Sequence, residues 1–171
     1  MRARSLCRRL DDGAAAVEFA ILLPLFLVLV FGMISGGLTF EKWISATQAA
    51  RESSRFAATL PVGGTTISAW LDSVGQVAAE NAGVNLTTTP QTEYFICVRF
   101  VNQVGPGSTP ATTMKTWGTL ASASGSCNGS TTSDNRVEVV VQRKATFDWV
   151  FGGSNLKVTG SNTSLYEPTV P

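Results

Sequence analysis

Apolar positions gather at one end of the chain. From Phe19 to Phe40 the sequence FAILLPLFLVLVFGMISGGLTF runs 22 residues without a charge. As a helix it would span about 33 Å at ~1.5 Å per residue, enough to cross the hydrocarbon core of a bilayer. It exceeds the roughly 7–15 apolar residues of a signal-peptide core. Ahead of it stands MRARSLCRRLDDG, with Arg2, Arg4, Arg8 and Arg9. Basic flanks stay cytoplasmic, so the pattern predicts a single-pass anchor in the cytoplasmic (inner) membrane, N-terminus inside and the remainder outside. Pro24 removes one backbone hydrogen bond and predicts a kink. Gly32 and Gly36 form a GxxxG that would admit another helix at close range. Equally, Gly32, Gly36 and Gly37 would make a flexible exit from the bilayer.

Helical spacing continues from Leu38 to Leu60. Phe40, Trp43, Thr47, Ala50, Ser54 and Ala57 recur every three or four residues, opposite Lys42, Gln48, Arg51 and Arg55. Joined to the anchor, this makes a helix of about 70 Å at ~1.5 Å per residue, interrupted near the glycines. Pro61-Val62-Gly63-Gly64 ends it, and Thr65 or Thr66 can cap a second helix. That helix carries Ile67, Trp70, Leu71, Val74, Val77, Ala78 and Ala82 on one face and closes at Asn81-Ala82-Gly83, with Trp70 in the core. Beyond Pro90 the period changes to two. Tyr94, Ile96, Val98 and Phe100 share a face, as do Val137, Val139 and Val141. A third strand is expected near Leu156-Lys157-Val158 and a further candidate lies at Phe147 to Phe151. Residues 102–135, rich in Gly, Ser, Thr and Asn, read as a long loop with a short element around Met114 to Leu120. The fold class is therefore α+β: a long N-terminal transmembrane helix, then a small antiparallel sheet packed on helix.

Composition narrows the chemistry. Among 171 residues, 44% are hydrophobic and only 15% charged, with 13 Lys+Arg against 12 Asp+Glu. This balance leaves no electrostatic footprint for nucleic acid. The chain has no histidine. Ser-His-Asp and Cys-His catalysis, histidine bases and most zinc sites are thereby removed. Asp134, Glu138 and Asp148 serve as ordinary turn or strand-surface acids, since no spacing forces two carboxylates together. No P-loop, GxSxG or EF-hand pattern is present. Neither enzyme activity, cofactor nor metal is expected. Asn85, Asn128 and Asn162 begin sequons of the sort that Ser/Thr-rich chains produce by chance. Of the three cysteines, Cys7 lies in the basic leader, whereas Cys97 and Cys127 lie in the exported part, where oxidation is permitted. A Cys97–Cys127 bridge would pin the loop, worth about 3–4 kcal/mol on chain entropy. The alternative is two unpaired thiols, one buried.

Glu18 is a lone carboxylate in the apolar stretch. A charge there costs roughly 2.5–3.5 kcal/mol at a helix centre and less near the interface, so it needs a partner. It stands five residues beyond Gly13, just after the basic leader. This spacing resembles the cleavage site of type IV prepilin-like proteins. The resemblance implies that a membrane prepilin peptidase cuts after Gly13, frees the amine of Ala14, and leaves Glu18 to pair with the terminal amine of a neighbouring subunit. Pairing the two charges makes each less costly in lipid. Further along, GAAAVEFAILLPLFLVLVFG and ATQAARESSRFAA together resemble the TadE-like family, minor pilins (pseudopilins) of the tight-adherence (Tad/Flp) pilus system. Gly13, Val17, Glu18, Phe19, Pro24, Ala49-Ala50-Arg51 and Arg55 carry the resemblance, which covers about residues 13–58. Ser53 and Ser54 depart from it, standing where alanines are expected.

The resemblance divides the chain into a leader (1–13), a membrane helix with its extracytoplasmic continuation (14–60) and a small α+β head (61–171). It implies a structural role in pilus assembly, adhesion or secretion-type machinery, with the prepilin peptidase, other Tad/Flp pilus components and pilins, and the membrane as partners. Assembly into a surface pilus would follow. Gly13 and Ala14 would form the cleavage site, while Glu18, Phe19 and Pro24 would serve assembly. The competing reading is a secreted or membrane-anchored adhesin or binding module with an ordinary signal sequence, cut near Ser35-Gly36-Gly37.

Overall fold

The computed structural model describes residues 7–62, 66–102, 111–120, 127, 135–149 and 152–166. Helix α1 runs from Cys7 to Thr59, 53 residues, or about 80 Å at ~1.5 Å per residue. It therefore begins inside the segment read as a leader and passes through Gly13. It also continues through Pro24, Gly32, Gly36 and Gly37, so the expected interruption at the glycines is absent. The reason is energetic. A helical glycine costs about 1 kcal/mol, whereas each backbone group released into an apolar medium costs several.

The buried face of α1 keeps Ala50, Ser54 and Ala57 of the expected stripe but not its Phe40 and Trp43. It consists of Ala46, Ala49, Ala50, Ser53, Ser54 and Ala57, all 0% exposed, while Phe40 and Trp43 stay 57% and 46% exposed. Close approach of the sheet decides this. A Cβ on Gly160 would collide with the carbonyl of Ala46 and stand 2.6 Å from the Cα of Thr47. Only small side chains fit where backbone meets backbone at that range.

Gly63, Gly64 and Thr65 lie outside the described residues. Thr66 caps α2 (Ile67–Asn81), its hydroxyl accepting from the amide of Ala69 at 3.3 Å. The helix closes in a Schellman turn. The Val84 amide donates to Ala79 at 2.8 Å and the Gly83 amide to Glu80 at 3.0 Å, with Gly83 at φ +65°. Trp70 is in the core as expected. Its indole N–H donates to the carbonyl of Leu60 at 3.0 Å, and its ring meets those of Phe100 and Tyr166.

Four antiparallel strands follow: β1 (Tyr94–Asn102), β2 (Ala111–Trp117), β3 (Arg136–Trp149) and β4 (Gly152–Leu165), in the order β2-β1-β3-β4. The α+β class stands, but the strand inventory is corrected. β2 occupies part of what reads as loop, where only a short element near Met114 is expected. Residues 147–149 are the end of β3 instead of a separate strand, and Leu156 to Val158 are a fragment of a 14-residue β4. That edge strand is mostly Gly, Ser, Thr and Asn, so no alternation announces it. The β3–β4 ladder, from Arg136↔Leu165 to Trp149↔Gly152, holds it in place.

The sheet has two unlike faces. Ile96, Val98, Phe100, Val137, Val139 and Val141 pack beneath α1 and α2. On the other side Phe95, Cys97 and Val140 join Leu120 and Cys127. Cys97 and Cys127 are disulfide-bonded, with Cα atoms 6.0 Å apart. The bridge joins the middle of β1 to the 121–134 stretch, which apart from Cys127 lies outside the described residues together with Asn128 and Asp134.

Candidate functional site

Two surroundings divide α1. No described residue from Gly13 to Ser45 is buried, and burial begins at Ala46. Its most apolar 18-residue window contains no buried residue at all. Phe19 is 65% exposed, Leu25 61% and Met33 75%. A helix apolar on every side and covered by nothing requires an apolar medium or an apolar partner. At roughly 25 cal/mol per Å² of apolar surface, leaving it in water would outweigh the stability of a small domain. Among the described residues α1 is the one helix long and apolar enough to cross a membrane.

The residues singled out in the sequence lie along this arm. Gly13 has open space around it, with nothing within 4 Å of a Cβ placed there. Ala14, Glu18, Phe19 and Pro24 are exposed. Ala14 and Glu18, four apart, share one face of α1. From Glu18 to Lys42, whose Nζ donates to the carbonyl of Lys144 in the head, the distance is about 36 Å at ~1.5 Å per residue. No cation of the head reaches Glu18. Among the described residues the ion pairs are Arg99–Glu138 at 3.6 Å and Lys115–Asp72 at 2.6 Å, both within the head. The fold thus strings these residues in a line and closes no pocket around them.

Polar chemistry in the head serves its own construction. Glu138 faces Arg99 across the β1–β3 pair, and the Arg99 guanidinium donates to the carbonyl of Cys127 at 3.3 Å. Arg143 donates to the carbonyl of Ala82 at 2.6 Å, just past the C-terminus of α2, where a cation meets the negative end of the helix. Burial pushes its pKa below the usual arginine value, opposed by the charges of Glu41 and Glu93. Arg51 and Arg55 stay solvent-exposed beside Gln48, Glu52, Asn81 and Asn162. Among the described residues no group of three or more Cys, Asp or Glu is placed to hold a metal ion.

Ser53 and Ser54, read as a mild departure, turn out to be structural. The Ser54 hydroxyl donates to Arg51 at 2.9 Å and accepts from Asn162 Nδ2 at 2.6 Å and from the Ser164 hydroxyl at 3.1 Å. Ser53 returns its hydrogen bond to the carbonyl of Ala49. The only signal in the sequence was the pair of serines itself, since a small polar residue in a helix tells nothing of a partner over a hundred residues away.

Against known proteins, the family model described as TadE-like protein matches residues 13–55, a quarter of the chain. The matched stretch is the exposed arm together with most of the alanine and serine face on which the head sits. That family is structural and associated with the Tad pilus. No curated protein and no solved structure matches the chain.

Proposed function

We propose that this chain is a minor pilin (pseudopilin) of a Tad/Flp pilus system, held in the cytoplasmic membrane by α1 with its head outside. One observation carries the reading: the TadE-like segment is an apolar arm, unburied from Gly13 to Ser45, with Glu18 near its start. An arm so exposed is built to be covered by lipid first and by neighbouring helices afterwards. A prepilin peptidase would cut after Gly13. Thirteen basic and twelve acidic side chains lose four arginines and two aspartates, leaving nine against ten. The new amine of Ala14 then stands one turn from Glu18, where a carboxylate also favours the positive end of the shortened helix. On a neighbouring subunit the same amine offers Glu18 the partner it needs in lipid.

The test is the intact mass and N-terminal sequence of membrane-extracted protein from cells with and without the prepilin peptidase. A chain beginning at Ala14 only when the peptidase is present is the expected result. A chain beginning near Leu38 would instead make it a secreted binding module. Glu18→Ala should insert normally and impair piliation; unchanged piliation would remove Glu18 from assembly.

A further inference from the structure

Phe40 and Trp43 are large apolar side chains that the head does not cover. The sheet takes the alanines and serines of α1 and leaves Phe40 57% and Trp43 46% exposed. Their rings pack on each other instead, with centroids 5.6 Å apart. Among the described residues nothing accepts a hydrogen bond from the Trp43 indole N–H. Trp70 is the contrast: it is buried, and its N–H donates to the carbonyl of Leu60. Burying a ring of this size is worth roughly 1.5–3 kcal/mol. Two rings and a free donor left in water are therefore a cost that nothing in the head offsets.

Their height along α1 supplies the missing surroundings. The uncharged run from Phe19 ends at Phe40, and Glu41 and Lys42 follow. Its 22 residues rise about 33 Å, against roughly 30 Å of hydrocarbon. Phe40 then stands at the outer edge of the hydrocarbon. Trp43 lies about 4.5 Å further out, within a headgroup layer that adds roughly 5–8 Å on each side. Tryptophan concentrates at that level because its ring meets lipid tails while its N–H meets lipid oxygens. Of the four tryptophans, Trp43 is the one on α1. The neighbouring charges are engaged elsewhere. Lys42 Nζ donates to the carbonyl of Lys144 at 3.4 Å, and the charges of Glu41 and Glu93 act on Arg143. The head starts just above: the Ser45 hydroxyl donates to the carbonyl of Asn81 at 3.4 Å, and burial begins at Ala46.

We infer that Phe40 and Trp43 form an interfacial anchor for the bilayer: Trp43 donates its indole N–H to the ester or phosphate oxygens of phospholipids, Phe40 lies against the upper part of their tails, and the pair fixes the depth of α1. The inference rests on the membrane-anchor reading above. Sinking by one turn, about 5.4 Å, would carry Glu41 and Lys42 into hydrocarbon. Rising by one turn would lift both rings into water. The pair thus holds one register, and with it the height of the head above the lipid.

The test compares tryptophan emission of the full chain and of Trp43→Phe in phosphatidylcholine vesicles. The lipid is brominated either near the glycerol end of its tails or near their methyl end, and the difference between the two chains reports Trp43. Its signal should be quenched more strongly from the glycerol end. Equal or stronger quenching from the methyl end would overturn the inference, and so would quenching by aqueous acrylamide with none by either lipid. A Trp43 signal that no quencher reaches would mean a second copy covers the ring, and would overturn it too. Depth is read separately, from the reaction of Leu38→Cys with a water-soluble maleimide in a chain carrying Cys7→Ser. Adding Phe40→Ala and Trp43→Ala should raise that rate on the order of tenfold, while an oxidised Cys97–Cys127 bridge reports that the head stays folded. An unchanged rate would show that the pair sets no depth. Release of the chain from vesicles by alkaline carbonate would overturn the anchor reading itself, whereas a retained chain with Trp43 in water overturns the aromatic anchor alone.

Discussion

At the residue scale, the joint between α1 and the sheet depends on atoms that are missing or small. Gly160 is required because its neighbour is backbone, not a side chain that could rotate away. Gly160→Ala should cost about 1–3 kcal/mol through overpacking. Ser54→Ala removes one donor and two acceptances at a buried position and should cost about 1 kcal/mol. Thermal unfolding of the full chain in detergent, followed by near-ultraviolet dichroism, checks both values and their order. An unchanged midpoint for Gly160→Ala would mean that the sheet does not approach α1 so closely. Glu18 presents the opposite case: it is exposed and forms no ion pair among the described residues, so on the proposed function its effect would belong to assembly and not to stability.

At the element scale, α1 is one helix adapted to two surroundings. Its first part is apolar all round, and its last part carries a narrow alanine and serine face for the head. The β1 strand is likewise shared, one side packed beneath the helices and the other tied through Cys97 to Cys127. The two cysteines are 30 residues apart, and closing a loop of that size is worth about 3–4 kcal/mol on the chain-entropy account. Reduction, or Cys127→Ser, should lower the urea midpoint of the head by that equivalent. A midpoint indifferent to reductant would show that the bridge carries no load.

At the scale of the whole molecule, arm and head are energetically separate. The arm meets the head through Lys42 and Ser45, so changes well before them, at Glu18 or Pro24, should leave head stability within about 0.5 kcal/mol. Pro24→Ala and Glu18→Ala are the variants to compare with Ala50→Leu, which forces a large side chain into a 0% exposed position and should prevent docking of the sheet. If Pro24→Ala destabilised the head as strongly as Ala50→Leu, the division would fail. On the proposed function, this separation would let one chain reside in a bilayer and then enter an assembly without remaking its core.

Much of this organisation was legible in the sequence because it depends on local periodicity. The 22-residue uncharged run, the basic residues ahead of it, the Thr66 cap, the Gly83 turn and the alternation of β1 and β3 each follow from a few neighbouring residues. The Gly13 to Glu18 spacing was legible in the same way. What escaped depends on partners distant in the chain. β4 is polar and unpatterned, and becomes a 14-residue strand because β3 offers its whole length to pair with. Helical spacing picked out Ala50, Ser54 and Ala57 on the buried face of α1, whereas hydrophobicity pointed to Phe40 and Trp43, which remain outside. The sequence alone determined that the chain has an apolar arm and an α+β head. Only the tertiary structure decided which face of the arm the head grips, and the reason is steric: close packing selects for size, and polarity patterns do not record it.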